Sequence, residues 1–109
     1  MAYKELVDYI MDQLSGLNVR YIPMMGGYLF YIDDRVFGGI YDSGSLMVKI
    51  TPASRAYMPD AVAEPPYDGA KDMLTVTILD DRQRFRDMVT AMAPELPPPK
   101  PRKPRGGKC

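Results

Sequence analysis

Between residues 19 and 50 the chain makes the same move three times: a short apolar run, then a turn too tight to lead anywhere but back. Residues 19–24 are rich in β-formers and stop at Gly26-Gly27. Residues 28–32 stop at Asp33-Asp34, residues 35–41 stop at Asp42-Ser43-Gly44-Ser45, and residues 46–50 complete the series. Links this short join only antiparallel neighbours, because a parallel pair needs a crossover of about a dozen residues or more. The middle of the chain is therefore an antiparallel meander. Pro23 cannot donate to a ladder, so it marks an edge strand or a strand end.

On either side of the meander the apolar period becomes helical. Tyr3, Leu6, Val7, Ile10, Met11 and Leu14 share one helical face, and Ser15-Gly16 supplies a stop. Thr51-Pro52 reads as an N-cap and a proline at the first helical position, opening a short helix to about Tyr57 or Met58. Residues 59–69 carry three prolines and read as a connection, and residues 73–79 read as a last strand. Asp80 or Asp81 then caps a closing helix, in which Phe85, Met88, Val89 and Met92 share a face until Pro94 ends it. The run at residues 28–32 is apolar on both faces. One face can pack against helices; the other lies under a side-chain layer or is buried by a partner, which favours self-association.

Composition removes whole classes of chemistry. Without histidine there is no imidazole relay, ligand or pH switch, and the one cysteine, Cys109, excludes an internal disulfide or a CxxC redox pair. No run approaches the roughly 20 apolar residues of a membrane span, and the first residues lack the apolar core of a secretory signal. A hydroxyl nucleophile (Ser43, Ser45 or Thr51) would have only Lys49 or Lys71 as a base, and no spacing puts either beside it. Gly26-Gly27 leads into a strand rather than into the helix a phosphate loop needs, so it reads as a bend where backbone approaches backbone, as does Gly38-Gly39. Asp33-Asp34 and Asp80-Asp81 read as a turn and a cap, since no array of oxygen ligands surrounds them. Arg82, Arg84 and Arg86 read as a solvated rim whose stems cover core edges.

The formal net charge is zero, but the sum hides a segregation. Residues 1–93 hold nine bases against thirteen acids, net −4, and residues 94–109 hold five bases against Glu95, net +4. The tail bases Lys100, Arg102, Lys103, Arg105 and Lys108 alternate with prolines and glycines, a composition that stays extended and can make salt-sensitive contact with nucleic acid. The Pro104-Arg105-Gly106 element resembles part of an AT-hook, with Gly107 where the hook has a second arginine.

Taken in order, several motifs resemble one family. They are Met24-Met25-Gly26-Gly27, the aromatic strand to Asp33-Asp34, the strand around Phe37, and Leu46-Met47-Val48-Lys49-Ile50 followed by Ser54-Arg55. Together they resemble the N-terminal domain of the TfoX/Sxy competence regulators over roughly residues 3–93. Met25 stands where that family has Phe, Asp34 where it has a turn Gly, and Gly38-Gly39 where it has larger residues. The resemblance implies an α+β, two-layer domain; composition places it at residues 1–93, followed by a Pro-rich basic tail at 94–109. Its antiparallel sheet would have about four to five strands with helices on one face, in the order helix–strands–helix–strand–helix. The resemblance further implies a non-enzymatic regulatory or protein-interaction domain, to which composition adds the expectation of a cytoplasmic, bacterial-type protein with no cofactor and no metal. A protein partner or a second copy would meet the sheet tyrosines Tyr28, Tyr31 and Tyr41, while Met24, Met25, Gly26, Gly27, Phe37 and Lys49 would be structural. The alternatives are a nucleic-acid-associated protein working through its tail and an enzyme without His or Cys chemistry.

Overall fold

A computed structural model describes residues 3–24, 26–41 and 44–97. The chain runs α1 (Lys4–Gln13), β1 (Val19–Met24), β2 (Gly27–Ile32), β3 (Arg35–Ile40), β4 (Leu46–Lys49) and α2 (Pro52–Tyr57). It then continues through β5 (Ala63–Glu64), β6 (Met73–Thr75) and α3 (Arg82–Met92), closing with a 3₁₀ turn at Ala93–Glu95. The strands form one six-stranded sheet in the order β1-β2-β3-β4-β6-β5, and every pairing is antiparallel. The α+β class is as expected, and the meander occupies the four strands the short turns demanded.

Two details differ from the sequence reading. The last long strand shortens to Met73–Thr75: Val76 N–H still reaches Leu46 O at 3.0 Å, but Thr77 N–H turns inward to Met58 Sδ at 3.3 Å. The connection also contains β5, which pairs Ala63 with Leu74 and Glu64 with Met73 before Pro65-Pro66 ends it.

The alternation of side chains divides the sheet cleanly. Phe30 and Ile32 of β2, Ile40 of β3, Val48 of β4 and Leu74 of β6 are all buried and share the inner face. Val7, Ile10 and Leu14 of α1, Ala53 of α2, and Phe85, Met88, Val89 and Met92 of α3 complete that core. Phe37 joins it through an irregularity: Phe30 pairs with Gly38 and Tyr31 with Val36, so Phe37 is the extra residue of a β-bulge. Its ring lies 6.1 Å from that of Phe30.

The glycine pairs serve close packing, as the strand context indicated. A methyl group on Gly38 would run into the carbonyl of Met47 across the β3–β4 ladder, and one on Gly27 into the carbonyl of Ile40. The β2–β3 hairpin turns on Asp33 (φ 50°) and Asp34 (φ 67°), two L-residues in left-handed conformation, as a two-residue hairpin of the primed type requires. Asn18 braces the turn, its Nδ2 donating to Asp33 Oδ1 at 3.2 Å and its carbonyl accepting from Asp33 N–H at 2.9 Å. Thr51 caps α2 reciprocally with Ser54, each side chain accepting from the other's backbone N–H, at 3.1 and 2.8 Å.

The arginines of α3 fasten the helical layer rather than decorate it. Arg86 Nη1 donates to Gln13 O at 3.0 Å and Ser15 O at 2.6 Å, where α1 ends and its carbonyls lack helical partners. Arg84 donates twice to Tyr57 O, at 2.9 and 3.2 Å, at the end of α2. Arg82 reaches Ser15 Oγ at 3.0 Å and Gln13 Oε1 at 3.4 Å. From the sheet, Arg35 does the same for α3 itself, donating to Ala93 O at 3.0 Å and Leu96 O at 3.4 Å. Leu96, only 3 % exposed, extends the packed body past the boundary at residue 93 that the composition suggested.

Because Arg86 serves two otherwise unpaired carbonyls, Arg86→Ala is expected to lower the unfolding free energy by about 2 kcal/mol in urea denaturation. Arg55→Ala, on the exposed side of α2, is the control and is expected to change it by about 0.5 kcal/mol or less.

Candidate functional site: the outer face of the sheet

The helices lie against the inner face, so function is sought on the other. By register, that outer face carries Arg20, Ile22 and Met24 of β1, Leu29 and Tyr31 of β2, and Val36 and Gly39 of β3. Farther across it come Met47 and Lys49 of β4 and Met73 and Thr75 of β6. Most of these side chains are apolar, which is unusual for a sheet face without a second layer. The charge of Arg20 is neutralised locally: its guanidinium lies 4.1 Å from the centre of the Tyr31 ring and its Nε 3.3 Å from Asp34 Oδ1.

The face has two regions. Toward β4 and β6 it is closed, with Met47 3 % and Met73 8 % exposed. Tyr41, just past β3, folds its ring back over Gly39, and Tyr67 from the connection packs on it with ring centres 5.9 Å apart. Toward β1–β3 the face stays open. Ile22 is 38 % exposed, and Leu29, Tyr31 and Val36 are half-buried, with no described element over them.

The edges of the sheet are closed to extension. Since Asp33 N–H donates to Asn18 O across the pair, alternation turns the main-chain groups of Val19, Tyr21 and Pro23 outward on β1. Proline at one of those three positions removes a donor that an added strand would need. The opposite edge, β5, has only two residues and runs directly into Pro65-Pro66.

The candidate residues from the sequence fall in different places. Tyr31 and Tyr41 lie on the outer face. Tyr28 pairs with Ile40, packs against the inner core and meets Tyr21 edge-on at 5.7 Å, so it does not share their surface. Met24 is on the outer face beside the turn, Gly26 makes that turn at φ 78°, and Gly27 and Phe37 have the packing roles given above. Lys49 is half-buried at the end of β4. Met25, Lys100, Arg102, Lys103, Arg105 and Lys108 lie outside the described residues. Ile22, Leu29, Val36 and Tyr67 were not singled out from sequence. A strict period-two count through the meander finds the first three; nothing in the Pro-rich connection signals Tyr67.

Among the described residues, no group of three or more acidic or cysteine side chains is arranged to hold a metal, and no helix is long and apolar enough to cross a membrane. Burial pushes the Tyr41 phenol above its ordinary range, with Tyr67 adding to the effect. A raised folded-state pKa means that folding favours the protonated ring. The associated stability is full below the ordinary tyrosine pKa and is lost as pH rises from there through the folded value. In an alkaline titration followed by phenolate absorbance, Tyr41→Phe is expected to remove a late-ionising ring and to flatten the loss of stability with pH.

The arrangement agrees with what comparison with known proteins finds. The model of the TfoX N-terminal domain family matches residues 12–92, from the last turn of α1 to the end of α3. The uncharacterized 12.7 kDa protein in the trpE 5′ region of Spirochaeta aurantia is 36 % identical over 97 residues, covering 87 % of this chain and 84 % of that protein. No solved structure gives a significant match. The matched span takes in the whole sheet, its bulge and glycine pairs and the closing helix, and the chain belongs to the TfoX N-terminal domain family, a family of regulatory, non-catalytic domains.

Proposed function

We propose that this regulatory domain works in the cytoplasm by protein contact, and that the open part of its outer face meets a second copy of the chain. The observation that carries the reading is an apolar face over β1–β3 that no described residue covers, in a sheet whose two edges are blunted. Blunted edges disfavour growth of the sheet from side to side, leaving face-to-face packing at about 10 Å as the way to bury those side chains. A second copy suits the face because a two-fold axis sets each patch against itself, and this patch is neutral once Arg20 is paired with Asp34. The patch is small. Three six-residue strands span about 20 Å by 10–15 Å, below the roughly 800 Å² per partner of a standard stable interface. The expected dimer is therefore weak and in rapid exchange, as suits a regulatory contact.

Sedimentation over a concentration series is expected to show a mass rising toward the dimer. Ile22→Lys places a charge on the patch from an edge strand and is expected to hold the chain monomeric without changing its thermal unfolding. A strictly monomeric wild-type chain, or unaltered association of the variant, would remove this contact.

A second reading rests on the separation of charge in the sequence. With Arg35, Arg82, Arg84 and Arg86 engaged in the fold, the body offers few free cations, so any contact with nucleic acid falls to the five bases after Pro99. The full chain should then bind duplex DNA weakly, with an affinity falling by about four to five powers of the salt concentration. A chain ending at Pro97, which keeps the buried Leu96, should not bind. Equal binding by both chains would eliminate the tail.

A further inference from the structure

Where β4 runs into α2, residues 66–73 and the segment at residues 95–97 bound a cleft of about 610 Å³. That size falls within the usual range of small-molecule sites, about 300–1,000 Å³. Tyr41 and Tyr67 contribute aromatic surface, Met73 and Leu96 apolar surface, and Lys49 and Lys71 two ammonium groups. Neither lysine side chain has a hydrogen bond or ion pair with any described residue. Of the two carboxylates in the cleft, Glu95 is engaged, its Oε1 accepting from Ala53 N–H at 2.9 Å; Asp72 is not.

Tyr67 is held in place although it is 57 % exposed. Pro65-Pro66 restricts the approach, Gly69 at φ 86° turns the chain, and Ala70 N–H closes the turn on Tyr67 O at 3.1 Å. One flank of the ring rests on Tyr41, and much of the rest is exposed aromatic surface in a cleft that two cations also line. That combination recognises a flat ring carrying an anion, because the ring gains apolar contact and the anion gains charge-assisted hydrogen bonds. Two lysines set against one unengaged carboxylate suit a small ligand with one anionic group rather than a polyanion.

We propose that this cleft binds a small aromatic or heteroaromatic anion, its ring against Tyr67 and its phosphate or carboxylate between Lys49 and Lys71. The site is separate from the open patch over β1–β3 and does not depend on dimerisation.

The test is a titration of the full chain followed by backbone amide shifts, with four probes: thymidine 5′-monophosphate, phenylacetate, thymidine and glycerol 3-phosphate. At least one of the first two is expected to shift the amides of residues 67–73, and which one does so separates phosphate from carboxylate. Thymidine has the ring alone and glycerol 3-phosphate the anion alone, so each is expected to bind about tenfold more weakly or worse. K49Q/K71Q should weaken binding by about tenfold or more at unchanged thermal stability. Tyr67→Ala should also weaken it with both lysines present, and Ile22→Lys should leave it as in wild type. Absence of shifts with both aromatic anions, equal binding of all four probes, or wild-type binding by K49Q/K71Q would overturn the proposal.

Discussion

One face of α3 holds the two layers together. Phe85, Met88, Val89 and Met92 are all fully buried, and burying side chains of this size contributes about 1.5–3 kcal/mol each before entropy is counted. From the flanks of the same helix, Arg84 and Arg86 reach the carbonyl ends of α2 and α1, and Arg35 reaches up from the sheet to its own end. Three helices of six to eleven residues would be marginal in isolation. They persist because one of them is wedged between the sheet and the other two. A guanidinium at a helix C-terminus supplies both the hydrogen bonds the last carbonyls lack and a charge opposite to the local end of the dipole.

Committing all three helices to one side leaves the other side of the sheet to be resolved locally. Over β4 and β6 this is done within the chain: Met47 and Met73 are buried, and the Tyr41–Tyr67 pair folds back over neighbouring Gly39. Over β1–β3 no described residue does it, and the regulatory, non-catalytic character of the family directs attention to what another molecule would bury there. Tyr41 links the closed region to the cleft: its ring lies over Gly39 and also lines the cleft beside Tyr67.

Much of the architecture was legible because the strongest signals were local. Turns of two to four residues dictated the meander, Thr51-Pro52 dictated the start of α2, and the period of Phe85, Met88, Val89 and Met92 dictated the face of α3. What was not legible shares a different cause. Alternation alone puts Tyr28 and Tyr31, three residues apart in one strand, on opposite faces; which of them faces inward shows only once Tyr28 is paired with Ile40 and packed on the core. The Phe37 bulge, which adds a residue to one face, is likewise invisible without its partner strand. The α3 arginines do line a rim, with Arg82 and Arg84 exposed, but their acceptors, main-chain carbonyls of other helices, carry no sequence signature. Leu96 looked like the start of a tail until the core it fills was assembled.

The hairpin turn bears on how the chain finds its fold. Asp33 and Asp34 both occupy a backbone region that L-residues enter at some cost, so the turn by itself does little to bring β2 and β3 together. Closure of this hairpin then depends on the apolar groups it joins, above all the buried rings of Phe30 and Phe37 in contact across the bulge. A hairpin with glycine at this corner would lean less on its side chains, because glycine enters the left-handed region without that cost. Such a corner ties the stability of the hairpin to core packing, so a change among those rings is felt at the turn as well as in the core.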